Sequence, residues 1–205
     1  ESLSEEKAYP LKVATYYSRF ISVYFLDYHS RPDSVQEDRM REMGNMEVIE
    51  GVAGREYSLG IIYHAKSKAR KFRTLASKNN LEYHVLFENM GTYLIMSERH
   101  PLAGKDYISH EELINSAVVF FDDESTILYM TDHLKIPETT ERFSVSDRGA
   151  FTDALLSGRY LPIINTPYPE KEKMFVLKDI SHCLTEDADI EVGSAYLIRR
   201  DHKLT

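Results

Sequence analysis

The consecutive carboxylates Asp122-Asp123-Glu124 are residue types that acid–base catalysis or a magnesium ion would use. They also stand directly before a helical pattern, where acidic side chains offset the positive pole of a helix, and that simpler reading is preferred. His64 follows a buried-strand signal and is the best-placed histidine for a site; a hydrogen-bonded core histidine is the simpler account. Cys183, the one cysteine, has the chemistry of a nucleophile and the usual fate of a small buried apolar residue. Lys66 to Arg73 places five positive charges in eight residues, enough to meet nucleic acid or an acidic partner, although a solvated helix face is the default.

Enzyme signatures fail on inspection. The phosphate-loop pattern needs a glycine five residues before Gly104-Lys105 and finds Arg99. No G-x-G-x-x-G or G-x-S-x-G run occurs, and none of the eight histidines sits in H-E-x-x-H. Asp187-Ala188-Asp189-Ile190-Glu191 begins like a calcium loop, but Val192 stands where glycine is required. The reading is therefore no catalytic residue, no metal and no cofactor.

The 205 residues, 42% apolar and 28% charged, fit one large domain or two small lobes and need no disulfide or metal staple. A single cysteine excludes an intrachain disulfide and fits a reducing, cytoplasmic compartment. No apolar run approaches the ~18 residues of a membrane span, so no membrane partner is expected. Glu1 to Lys7 has no signal-peptide core. A net charge of −8 argues against this chain holding duplex DNA by itself.

The elements that must position any site follow from periodicity and caps. Leu11 to Thr15 alternates as a strand. Ser18 caps a helix running to Tyr28 whose Phe20, Ile21, Val23, Tyr24, Phe25 and Leu26 are apolar almost all round, the pattern of a helix covered on both sides or by a partner chain. Val35 to Glu42 reads as a short edge strand, Met43 to Ala53 as a helix stopped by Gly54, and Leu59 to Tyr63 as a buried strand. This β-α-β-α-β order predicts parallel pairing. Ser67 to Lys78 is a basic helix on a stripe of Ala69, Phe72, Leu75 and Ala76. Tyr83 to Glu88 and Thr92 to Ser97 read as two strands about a turn at Asn89-Met90-Gly91. Arg99 to Gly104 interrupts, as a candidate crossing between lobes.

A second run begins with a helix, Ser109 to Asn115, in capping-box spacing to Glu112. A strand (Ala117 to Phe121), a helix (Thr126 to His133) and a strand (Arg142 to Ser146) follow. Asp147 caps the next helix, which stops at Gly158, and Tyr160 to Ile164 is a strand. Thr166-Pro167-Tyr168-Pro169 is a second candidate crossing, and Met174 to Asp179 and Val192 to Arg199 are the last strands. The expected class is α/β: two Rossmann-like lobes, residues 1–96 with 176–205 and residues 97–175, with a cleft between them.

Leu94 to Gly104, with His100-Pro101-Leu102-Ala103 at its centre and Ile108 and Glu112-Leu113 after it, resembles a segment of the effector domain of LysR-type transcriptional regulators. Gly54 before Ser58-Leu59-Gly60-Ile61 resembles that family's third-strand element, and Ser146-Asp147 with Leu155 to Gly158 running into Leu161-Pro162 resembles a later stretch. Ser58 departs from the family's usual Asp, and Gly158-Arg159-Tyr160 carries a single glycine where the family has a pair. The resemblance, spread from Leu11 to Lys203, implies a fold like type 2 periplasmic binding proteins, with two crossover strands and a small-molecule effector in the cleft. It also implies a side-by-side homodimer, tetramers of the full-length protein, and DNA contact only through a helix-turn-helix missing from this chain, with Glu1 to Tyr9 as a linker remnant.

Tyr17-Ser18-Arg19, Ser125-Thr126 and Ser146-Asp147-Arg148 would aim helix N-termini at the effector, each worth roughly 0.3–1 kcal/mol toward an anion. Arg19 and Arg148 suit a carboxylate, which makes a small organic acid the expected class. Asp123 and Asp147 pull the other way, by capping their own helices or meeting an amine. Tyr16, Tyr17, Tyr63 and His64 would line an apolar wall. The rival readings are a free-standing solute-binding protein of a transporter, which shares the fold, and a transferase or deaminase of the same shape.

Overall fold

A computed structural model describes residues 9–32, 37–172 and 175–201. In chain order it contains β1 (Lys12–Thr15), α1 (Arg19–His29), β2 (Arg39–Glu42), α2 (Asn45–Ala53), β3 (Leu59–Ala65), α3 (Ala69–Lys78), β4 (Leu81–Met96) and α4 (His110–Ile114). It continues with β5 (Ala117–Phe121), α5 (Glu124–Leu128), β6 (Arg142–Val145), α6 (Arg148–Leu156), β7 (Tyr160–Thr166), β8 (Val176–Asp179) and β9 (Val192–Arg199). Most of the expected linker remnant, residues 1–8, lies outside the described residues, as do Val35, Gln36 and Met174 of two expected strands.

The chain forms two compact units, residues 1–62 with 72–84 and 195–205, and residues 63–71 with 85–194. β4 and β9 carry the chain from one unit to the other, and residues 63–71 are a short excursion between β3 and α3. Arg99 to Gly104 and Thr166 to Pro169, read as crossings, both lie inside the second unit. Proline and glycine mark local breaks, whereas a strand that continues from one unit into the next carries no break to read.

In the first unit β1 is flanked by β2 and β3, both parallel to it. Val48, Ile49 and Val52 of α2, Phe72 and Ala76 of α3, and Ile62, Ala195 and Leu197 of the strands form its core. Arg199 closes the C-terminal end of α2, its Nη1 donating to the carbonyls of Val52 (3.3 Å) and Tyr57 (3.1 Å). A cation there suits the negative pole of the helix. In the second unit β5 lies between β6 and β7, both parallel to it, and β4 runs antiparallel to β7 and β8. Its core gathers Leu94, Met96, Ile108, Leu113, Val118, Leu134, Ile136 and Leu161.

Two expected elements differ. β4 is one strand of 16 residues, not two strands about a turn. Gly91 lies within that strand, with the ring and hydroxyl of Tyr93 2.5 Å from where its Cβ would be. The helix expected from Thr126 starts at Glu124, and a π-helical turn, Tyr129–His133, completes it.

The motif around His100 is a packed corner. His100 is buried, and its Nδ1 accepts from the amide of Leu102 (3.2 Å), which leaves Nε2–H to donate to the Arg159 carbonyl. The Arg159 turn is set by Gly158, whose φ of +74° is a left-handed conformation. Burial lowers the His100 pKa below its usual 6.5, against a smaller raising effect of the Arg159 hydrogen bond. The unfolded chain therefore takes up the proton first, and stability present above about pH 6.5 is lost as the pH falls below it. Urea unfolding should show a drop between neutral and mildly acidic pH that His100→Gln diminishes. An identical pH profile in the variant would assign the drop to other groups.

Candidate functional site

The candidate residues lie where parallel strands end and helices begin. In the first unit, Thr15 pairs with Glu42 on β2 and Ile61 on β3, so the chain leaves β1 as Tyr16-Tyr17-Ser18 beside Glu42. The Tyr16 and Tyr17 rings meet edge to face at 5.7 Å. Ser18 Oγ accepts from the Ile21 amide (3.3 Å), which makes it the N-cap of α1, and Arg19 is exposed. Glu42 Oε1 accepts from the Ser18 amide (3.2 Å) and the Ser22 hydroxyl (3.1 Å). A carboxylate of the protein thus already occupies the N-terminal pole of α1.

In the second unit, Phe121 pairs with Val145, and the Asp122 amide donates to the Val145 carbonyl (2.8 Å). The N-termini of α5 and α6 therefore emerge from neighbouring strand ends. The Asp123 carboxylate accepts from the amides of Ser125 (3.0 Å) and Thr126 (3.2 Å) and from the Thr126 hydroxyl (2.5 Å). Asp147 accepts from the Ala150 amide (2.9 Å). Phe121 and Phe151 stack beneath these turns at 4.6 Å. Ser146 and Asp147 are exposed and Arg148 is half-buried.

The Ser125 and Thr126 amides are turned onto Asp123, because an aspartate at the N-cap reaches them without any ligand. This gives Asp123 the capping role that its sequence position suggested. Tyr63 and His64 are buried on β3, at 5% and 7% exposure, and His64 Nδ1 lies 2.9 Å from the Ala65 carbonyl. That geometry suits a satisfied core histidine. Among the described residues no group of three or more metal-ligating side chains comes together, and no helix is long and apolar enough to cross a membrane.

Sequence reasoning missed two groups. Glu42 lies 24 residues from Ser18; the only signal for it was the parallel β-α-β order, which sets the ends of β1 and β2 side by side. The second is a polar knot in the second unit, where Thr92 Oγ1 accepts from Asn165 Nδ2 (2.7 Å), donates to the Ile190 carbonyl (3.0 Å) and meets the Tyr129 hydroxyl (3.2 Å). Burial, above all, raises the pKa of the Tyr129 phenol, which keeps it a neutral member of the knot.

Cys183 is fully buried, and its thiol donates to the Ile108 carbonyl (2.9 Å). Burial, then Asp179 and Glu112, push the thiol up to about 12. The thiolate is the reactive form, so native Cys183 should resist a thiol reagent at neutral pH and react stoichiometrically in denaturant. Rapid native labelling would contradict this environment.

No family profile matches the sequence, and no curated protein matches it. Solved structures do match. The reduced form of the OxyR regulatory domain from Pseudomonas aeruginosa matches at a TM-score of 0.64 and 15% identity, over 94% of this chain and 90% of that one. The effector-binding domain of QuiR in complex with shikimate matches at 0.60 and 11%, over 96% and 90%. HinK, a LysR family transcriptional regulator from Pseudomonas aeruginosa, matches at 0.60 and 16%, over 99% of this chain and 68% of that one. The fold of this chain is that of LysR-family effector-binding domains.

Proposed function

We propose that this chain is the effector-binding part of a LysR-type transcriptional regulator, and that it senses a small molecule rather than transforming one. The supporting observation is the shared fold, which runs over nearly the whole chain in effector-binding and regulatory domains. The effector is an organic acid that uses Arg19 in the first unit or Ser146 and Arg148 in the second. Glu42, Asp123 and Asp147 already engage helix amides, so the arginines supply the attraction for a carboxylate. In this reading DNA is reached through a helix-turn-helix elsewhere in the regulator. A free-standing solute-binding protein has the same fold, but the matched structures named above include none.

The reading includes a homodimer. α1 buries only Phe20 and Ile21 and leaves Val23, Tyr24, Leu26 and Tyr28 exposed, an apolar face of the kind that a second copy covers.

The test is a thermal-shift screen of organic acids, amino acids and aromatic acids, shikimate among them. A specific effector at about 100 times its Kd stabilises by roughly 2.7 kcal/mol, enough to see as a raised midpoint. Light scattering should give a dimer. A screen without any saturable shift, together with a strict monomer at high concentration, would remove the proposal.

A further inference from the structure

The basic segment from Lys66 to Lys78 has no part in that reading. It folds as a 3-10 turn, Lys66–Lys68, leading into α3. Phe72 and Ala76 are buried in the core, which fixes the rotation of the helix. Lys66, Lys68, Arg70, Lys71, Arg73 and Lys78 all stay exposed, and residues 66–81 contain no Asp or Glu, although the Asp189 carboxylate accepts from Ser67 Oγ (2.7 Å) in the leading turn. Some of this charge is engaged: Lys66 Nζ lies 3.0 Å from Glu191 Oε2, and the Arg73 guanidinium sits 5.2 Å above the Tyr83 ring. Lys68, Lys71 and Lys78 form no ion pair among the described residues. Arg200 donates to Ser77 Oγ (3.3 Å), bringing a further cation to the end of the helix.

The chemistry of this face selects its partner. A protein interface is held by buried aromatic or apolar anchors, and this face exposes no large apolar side chain. It offers cations along a helix, with Lys71 and Lys78 about 10 Å apart in helical rise and Lys68 in the turn just before it. Repeated phosphate charge complements such an array through counterion release, with no surface to desolvate. On a chain of net charge −8 the face is a local exception, so the contact is weak and confined to it.

We propose that the exposed face of α3 and its leading turn is a sequence-independent contact for the phosphate backbone of duplex DNA. It would position the domain against DNA held mainly by other parts of an assembly, and would read no bases. It does not depend on the effector-site reading, and the test needs no effector.

Fluorescence anisotropy of a labelled duplex of about 20 base pairs, in roughly 20 mM salt, measures the contact. The expected result is saturable binding whose log K falls with log salt at a slope of about −2 to −3, for three phosphates neutralised. The triple variant Lys68→Glu, Lys71→Glu, Lys78→Glu should bind at least fivefold more weakly. Its thermal midpoint, and the Gln triple variant with an intermediate loss, check that the fold is kept. Three outcomes overturn the proposal: no binding at low salt, equal binding by the folded Glu variant, or polyglutamate competing as well as unlabelled duplex. The last would assign the face to acidic protein.

Discussion

Leu94→Ala should lower the free energy of unfolding by about 2–5 kcal/mol, with a urea midpoint that falls at an unchanged slope. Leu94 is fully buried on β4, paired with Ile163 of β7 on one side and Lys178 of β8 on the other. It packs in the second unit's core with Met96 and Leu161. Neighbours held on two strands cannot collapse into the space a methyl stump leaves, so the cavity cost adds to the lost burial. Leu86→Ala, on the same strand at 36% exposure, is the control and should cost much less. Equal losses at the two positions would mean that β4 does not pass from a covered to an open environment along its length.

Arg19→Ala should weaken the best carboxylate from the screen about 10- to 100-fold, the worth of a charge-assisted hydrogen bond. That holds for a site in the first unit; for a site in the second unit, Ser146→Ala should instead cost roughly three- to tenfold, as a neutral hydroxyl does. Both side chains are exposed, so calorimetry should register the loss while the midpoint of the ligand-free protein barely moves. Glu42→Gln supplies the opposite sign. It removes a competing carboxylate at the N-terminus of α1 and should tighten the same compound. Unchanged affinity in Arg19→Ala and Ser146→Ala together would remove these residues from the effector site, while leaving the screen's evidence for an effector intact.

The parts that were legible in advance share one property: their physics is local. Ser18, Ser109 and Asp147 cap their helices as expected, each through a bond to an amide three residues on. The strand at Ala117–Phe121 and the helix stop at Gly158 follow the same rule, one from a run of apolar residues and the other from a left-handed turn. The His100 motif was recognised as a pattern, but its reason, a neutral imidazole bridging Leu102 and Arg159 across 59 residues, was not readable.

By itself, then, the chain's order of residues determined most of the helices and strands and the α/β class. Tertiary structure alone decided that Gly91 lies inside one long strand, that Glu42 reaches the Ser18 amide, and that α5 and α6 start side by side. A cap or a periodic stripe closes its contacts within three or four residues, so sequence spacing reports it directly. Sheet register joins residues far apart along the chain. Once it sets the ends of β1 and β2 level, and those of β5 and β6, it chooses which carboxylate meets which amide.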